Sequence, residues 1–519
     1  MLRAASLAAL SLLAALVVAC GGGGASGEAD PASAVPADAM FYGEATIKPE
    51  GDARDDVLAA AGKVLRTDDP EGKIRSSLTD AFAKDAKLDY DKDIKPWLGD
   101  RLGLWLDTRL DPDGDPGGAL VVAVTDQDAA MDAVHKGSTN SGDRPTGRSY
   151  KGTDYEVDRD GDAFGPVGDE FIAFGPEAQF KRTVDAEKGQ SLADADRYRQ
   201  SLDKLDDDRL AHFYADFQKI LDVAVRSEGS EEDLQQLKSL IPFDKLGPIM
   251  GSFQADADRL ALDVSVSASR GDLGAFGNLY SASDTPLLED LPGDSWAAYG
   301  AAKYGQSLKQ ALDQYAGLLG GAAAREQLKN QLGIDLDEDI LSWVGDVAVF
   351  VRGDTAQTVD GGLVIQVTDE GKAAKGFGKL VGLIQSAGQV GAKPVHVDGA
   401  ETAFAIQDGS TPKPIVVARS SSKVVAAYGM DAAEAALNPR SKLGDSDTWK
   451  AAQDALDDDD MHPSLLVAMP PILSLVDSSG SADADYAKAK PYLEAYDVFA
   501  LGSKSSDGNA RVRLAAGLK

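Results

Sequence analysis

Four histidines (His135, His212, His396 and His462), one cysteine (Cys20), two Ser-x-x-Lys spacings and several aspartate clusters are what this 519-residue chain offers for chemistry. No two histidines stand four apart, the spacing that lets one helix face grip zinc, so they carry no metal signature. A lone cysteine rules out an intrachain disulfide, a zinc–cysteine cluster and a thiol redox pair. In Ser201-Leu-Asp-Lys204 and Ser420-Ser-Ser-Lys423 the lysine must lie one helical turn from the serine to assist proton removal. The companion Ser-Asp-Asn and Lys-Thr-Gly motifs are absent, and Ser420 falls in a turn between two strands. Asp111-Pro-Asp113-Gly-Asp115 and Asp158-Arg-Asp160-Gly-Asp162 alternate acids as a calcium loop does. The first has Pro116 at the glycine position and Val122 at the closing acid; the second has Ala163 at the glycine position, although Asp169 falls at the closing one. Both read as hydrophilic hairpin turns. The stretch Gly22-Gly-Gly24-Ala-Ser-Gly27 matches a dinucleotide fingerprint without the strand and helix that give it meaning. The expectation is therefore no catalytic, metal-binding or cofactor-binding residue, and no enzyme.

Cys20 is different because of its position. Arg3 makes a basic start, Leu7 to Val18 an apolar run, and the small Ala19 stands directly before Cys20, which is the anatomy of a signal peptide over residues 1–19. The apolar run is too short to remain as a membrane span. Val17-Val-Ala-Cys20 resembles a bacterial lipobox, with Val17 where leucine is more usual; the resemblance implies that Cys20 is lipidated and becomes the mature N-terminus. From there to residue 34, Gly, Ala, Ser and Pro predominate, a composition expected to form a flexible tether.

The rest of the chain is built twice. Leu88-Asp-Tyr-Asp-Lys-Asp-Ile-Lys-Pro-Trp97-Leu-Gly99-Asp100 is answered by Ile334-Asp-Leu-Asp-Glu-Asp-Ile-Leu-Ser-Trp343-Val-Gly345-Asp346 without a gap. Each copy continues into a strand, a Gly-Gly turn and a second apolar run ending in Thr125-Asp126 or Thr368-Asp369, where an N-cap belongs. Gly99 and Gly345 suit the left-handed position that ends a helix, and the tryptophans read as corner packing. Ahead of the corners, Val35-Pro-Ala-Asp38 and Leu291-Pro-Gly-Asp294 are turns before strands. Two amphipathic helices follow in each copy, with Val57, Leu58, Ala61, Val64 and Leu65 in one, and Leu308, Leu312, Tyr315, Leu318 and Leu319 in the other, at helical spacing. After the corners come short strands such as Tyr155–Val157, Glu170–Phe174, Val395–Val397, Thr402–Ile406, Ile415–Ala418 and Val424–Tyr428. This predicts an α+β protein of two duplicated domains, residues 35–268 and 289–519, each a mainly antiparallel sheet packed with helices, joined by a linker at 269–288.

With 43% hydrophobic residues the chain can bury real cores. Lys and Arg number 52 against 85 Asp and Glu, and a formal charge of −33 repels phosphate backbones, so nucleic acid is not an expected partner. The lipobox, the Val-Pro-Ala-Asp strand opener and the Pro-Trp-Leu-Gly-Asp corner together resemble an actinobacterial family of uncharacterised lipoproteins, the domain of unknown function 3352. The second copy departs by carrying Ser342 where the first has Pro96. The resemblance implies a location at the extracytoplasmic face of the cell membrane and no catalysis. The expected function is a non-enzymatic envelope lipoprotein, held to the membrane through lipid on Cys20, that binds a protein or cell-wall partner. The competing expectation is a lipoprotein that binds a small molecule or cation in a groove between the repeats.

Overall fold

The structure, a computed structural model, describes residues 29–110, 116–227, 246–268, 285–314, 321–386, 392–407, 411–480, 482–506 and 508–519. Among these, the chain divides into two compact units, the first ending at Ser267 and the second beginning at Ala268. Each is mixed α+β.

The first unit has strands β1 (Phe41–Thr46), β2 (Leu98–Leu110), β3 (Pro116–Val124), β4 (Thr146–Tyr150), β5 (Thr153–Val157), β6 (Asp162–Val167), β7 (Phe171–Pro176), β8 (Ala211–Ala215), β9 (Ile249–Asp256) and β10 (Arg259–Ser267). They pair antiparallel in the order β4-β5-β6-β7-β3-β2-β1-β8-β9-β10. Side chains alternate across the sheet, so each face has its own core. One face buries Tyr42, Trp105, Val121 and Ala173 beneath Phe180, Val184 and Tyr198. The other buries Ala45, Leu102, Val122 and Ile172 beneath the helices Gly51–Leu65, Pro70–Asp85 and Gln127–Asn140, through Val57, Ala61, Ile74, Leu78, Ala130 and Ala133.

The second unit has strands β11 (Ser295–Ala301), β12 (Val344–Arg352), β13 (Asp360–Val367), β14 (Ala392–Pro394), β15 (Thr402–Ile406), β16 (Ile415–Arg419), β17 (Lys423–Tyr428), β18 (Pro463–Ala468), β19 (Tyr496–Ser506) and β20 (Asn509–Leu518). Their order is β14-β15-β16-β17-β13-β12-β11-β18-β19-β20, again antiparallel, which is the order of the first unit. One face buries Ala298, Phe350, Val364, Val416 and Leu466 beneath Ala432, Ala436, Trp449, Ala452 and Leu456.

The corner expected from the repeated stretch is a π-type turn in both units, Tyr90–Ile94 and Leu336–Leu341. Asp89 and Asp335 cap it, accepting from the backbone N–H groups of Lys92 and Glu338. Asp126 and Asp369 likewise accept from Ala129 and Lys372 at the heads of the helices that follow, as the sequence indicates.

Several expectations need correction. Gly99 and Gly345 do not end a helix in the left-handed conformation; both lie in strands, outside the positive-φ residues. What they permit is close approach: a Cβ on Gly99 would stand 2.6 Å from the Ala123 carbonyl oxygen, and one on Gly345 would stand 2.8 Å from Gln366 Oε1. The tether does not extend to residue 34. Pro31–Ala34 forms a 3-10 turn capped by Asp30, and Ala29, Ala32 and Ala34 are core residues, because methyl-sized side chains fill a gap that larger ones could not. The end of the expected linker is also core: Leu287 and Leu288 are buried in the turn Pro286–Glu289. Val395–Val397 is not a strand; the edge strand is Ala392–Pro394. Strands β4, β6 and β9 were not foreseen, and Tyr315, Leu318 and Leu319 lie outside the described residues.

Candidate functional site

The residues that offered chemistry in the sequence are put to structural use. Cys20, the Gly22–Gly27 stretch and the Asp111–Asp115 turn lie outside the described residues. Ser201 is buried in the helix Asp196–Leu202 and donates to the Arg197 carbonyl at 2.8 Å, while Lys204 Nζ donates to Ser267 Oγ, so the lysine does not serve the serine. Ser420 Oγ accepts from the Lys423 backbone N–H at 3.0 Å and closes the β16–β17 turn. Lys423 Nζ turns away to the Ala436 carbonyl, where burial pushes its pKa down. Asp158 Oδ1 accepts from the backbone N–H groups of Asp160 and Asp162, both at 2.9 Å, which makes it the organiser of a turn. Among the described residues no group of three His, Cys, Asp or Glu is placed to hold a metal ion. His135 contacts Glu156 at 2.8 Å, His396 contacts Asp398 at 3.1 Å, and His462 contacts Gln453 at 3.2 Å.

His212 belongs to a feature the sequence did not show. Glu44 on β1 stands opposite His212 on β8, which stands opposite Ser252 on β9 and then Asp263 on β10, a row of four buried polar side chains across one sheet face. Tyr42 donates its hydroxyl to Glu44 Oε2 at 2.6 Å. Burial drives the Glu44 carboxyl up to about 7, against the lowering effects of that hydrogen bond and of Arg101, 3.6 Å away. Burial drives the His212 imidazole down to about 3, so it is neutral, and its Nε2 lies in hydrogen-bond contact with the Tyr198 hydroxyl at 2.8 Å. The Ser252 hydroxyl makes no hydrogen bond. Glu44 and His212 are each 7% exposed, so the cluster lies within the core of the first unit. The same register positions of the second unit hold Ala298, Gly300 and Ser464, so this cluster belongs to the first unit alone. The one available signal was a glutamate inside the apolar run Met40–Ala45.

The second unit has its own peculiarity, on the sheet face opposite its buried core. Phe404, Val417, Ala426, Leu363, Val349, Tyr299, Leu465, Leu501 and Leu514 are successive cross-strand partners, one from each of nine strands, and all are apolar. Val349 and Tyr299, on the central strands, are 41% and 39% exposed. In the first unit, Gly43 takes the place of Tyr299, with the Phe41 ring 3.5 Å from where its Cβ would be, and the same face lies under three helices. Of the large hydrophobic side chains exposed among the described residues, Leu262 alone lies in the first unit. A monomer seldom leaves such a surface to water without using it.

These features define a two-unit α+β protein with a buried polar cluster in the core of one unit and, in the other, an apolar sheet face exposed at Val349 and Tyr299. The chain belongs to the family described as protein of unknown function DUF3352, whose model matches residues 4–467. That family carries no catalytic assignment. No curated protein matches the chain. Among solved structures, crystal form I of TP0453 is 10% identical with a TM-score of 0.25, covering 47% of this chain and 81% of that one. Crystal form IV of TP0453 is 10% identical with a TM-score of 0.25, covering 46% and 81%. Likeness at this level supports no argument about fold or function.

Proposed function

We propose that the protein is a non-enzymatic envelope lipoprotein of actinobacterial type, held at the extracytoplasmic face of the cell membrane by lipid on Cys20, and that its second unit binds a partner protein through the apolar sheet face around Val349 and Tyr299. The observation that carries this reading is the apolar row from Phe404 to Leu514 with Val349 and Tyr299 exposed at its centre. A polysaccharide of the wall would need hydrogen-bonding side chains, and the row has none but the Tyr299 hydroxyl; apolar protein surface matches it. The charge of −33 disfavours a second copy of the chain and favours a partner with a basic rim. The Val-Val-Ala-Cys20 stretch supports the anchor, and among the described residues no helix is long and apolar enough to cross a membrane. The shared strand order of the two units supports their origin by duplication.

A photo-crosslinking residue at Val349, in the full chain expressed in its native envelope, tests the reading. A second at Lys450, exposed on the helix Asp447–Leu456 that covers the other sheet face, serves as control. We expect a discrete protein adduct from position 349 that Tyr299→Glu abolishes and position 450 does not give. Equal adducts from both positions, or an adduct indifferent to Tyr299→Glu, would overturn it.

A further inference from the structure

The segment Ala29–Val35 leads the chain into the first unit, and its docking depends on the ground beneath it. Ala29, Ala32, Ala34 and Val35 are buried against Tyr42, Trp105 and Val121. Gly103 on β2 is the cross-strand partner of Glu44 and makes room for the segment: a Cβ there would stand 2.9 Å from Pro31 Cβ and 2.9 Å from the Tyr42 ring. Pro31 therefore lies over the position beside Glu44. Asp30, the residue before it, is half-buried and spends Oδ1 on the Ala32 backbone N–H.

We propose that Glu44 is a proton-operated latch for Ala29–Val35: the segment, seated through Pro31 on Gly103 beside Glu44, is docked while the Glu44 carboxyl is protonated, and ionisation of Glu44 releases it.

The groups facing Glu44 are Tyr42 from its own strand, Arg101 from β2, His212 from β8, Arg209 from the approach to β8, Tyr198 from the helix Asp196–Leu202, and Asp30 from the segment. Tyr42 and Tyr198 stay protonated, because burial raises both well above the ordinary phenol range. His212 stays neutral down to about pH 3. The two arginines are charged throughout and oppose the effect of Asp30. Glu44 is thus the group in this set whose charge changes between pH 5 and 8, with burial as the leading cause and Asp30 adding to it. Releasing the segment hydrates the carboxylate and separates it from Asp30, which is what ionisation favours. Since an extended residue spans roughly 3.3–3.6 Å, the released segment Ala29–Val35 would reach about 20 Å.

Amide hydrogen exchange on the full chain between pH 5.5 and 8 tests the latch, after correction for the intrinsic pH dependence of exchange. The reporters are the Ser33, Val35 and Leu192 N–H groups, bonded to the Asp30, Ala32 and Val35 carbonyls. Between the free and docked values for Glu44 the opening equilibrium should rise about tenfold per pH unit. Glu44→Gln, which keeps the protonated shape and an acceptor for Tyr42, should remove the rise, and Asp30→Asn, which keeps the cap, should reduce it. An unchanged rise in Glu44→Gln, no rise in the unaltered chain, or an equal rise at the central-strand amide of Val121 would overturn the proposal, the last because it would mark unfolding of the whole unit.

Discussion

Trp343 Nε1 donates to the carbonyl oxygen of Asp339 at 2.7 Å, one turn back along the chain. The π-type turn leaves that carbonyl without a backbone partner, and the indole supplies one; Trp97 does the same for Asp93 at 2.5 Å in the first unit. Lys379 and Lys136, from the helices that follow, hold the Asp339 and Asp93 carboxylates and keep them below the usual carboxylate range.

Trp343→Phe keeps most of the apolar contact and orphans the Asp339 carbonyl, so it should cost about 1–3 kcal/mol. Trp343→Ala, which opens a cavity as well, should cost about 3–5 kcal/mol. Urea unfolding measures both, and the same pair at Trp97 should give the same ranking. A Phe variant as stable as the parent would show that the indole hydrogen bond contributes nothing to the corner.

Arg182 spans Asp38 and the fully buried Asp107, with its guanidinium 5.5 Å from the Trp105 ring centroid. Removing it leaves the Asp107 carboxylate without a cation, with only neutral donors, Gln179 Nε2 at 3.3 Å and the Arg109 backbone N–H at 3.1 Å. Arg182→Leu should therefore destabilise the first unit by about 3–5 kcal/mol. Lys488→Leu, at an exposed pair with Asp485, should fall within about 0.5 kcal/mol of the parent. Equal small effects in denaturant titrations would remove Arg182 from its structural role.

The pH dependence of stability should show two opposed limbs. Glu44 is raised on folding, so its contribution is full below about pH 4.5 and is lost as pH rises towards about 7. His212 is depressed, so its contribution is full above about pH 6.5 and is lost as pH falls towards about 3. At about 1.4 kcal/mol per pH unit the two nearly cancel between pH 4.5 and 6.5, and stability should fall steeply only below that window. Glu44→Gln should expose the acid-side loss already from pH 6.5, and His212→Gln should make the protein gain stability on acidification. Variants that keep the parent's flat profile in urea midpoints would count against both assignments.

The proposed anchor predicts that Cys20→Ala abolishes incorporation of radiolabelled palmitate and blocks cleavage before residue 20. A chain beginning at Gly21 behind a non-lipidated secretion signal should be released in soluble, folded form. Sedimentation of that released protein with membranes in high salt would mean that something besides Cys20 holds it there, since without Arg3 its 51 basic against 85 acidic residues leave a charge of −34, which gives no attraction to anionic lipid.

What was legible in the sequence were features whose causes lie within a few residues. Asp89, Asp126, Asp335 and Asp369 are caps because a carboxylate reaches backbone N–H groups two or three residues on, and that spacing is written in the chain. The repeated corner and the period-two runs were legible for the same reason, and they were enough for the α+β class. The left-handed role expected for Gly99 and Gly345 failed because local rules see a glycine after a helix but not the neighbouring strand that crowds it. The Ala- and Pro-rich end of the tether was misread because composition says nothing about a gap of matching size over Gly103.

The sequence by itself determined the α+β class, the capping aspartates and the stretch that is repeated at Trp97 and Trp343. Only the tertiary structure decided which side chains meet. Glu44 faces His212 and Ser252 because antiparallel register places segments far apart in the chain side by side, and removal from water then sets their protonation. By the same register Val349 and Tyr299 stand together as exposed residues on a sheet face of the second unit, whereas Gly43 and Leu104 of the first lie on a face that its helices pack against. Both depend on what surrounds a residue in space, and in the sequence a valine on a covered face is the same letter as a valine on an open one.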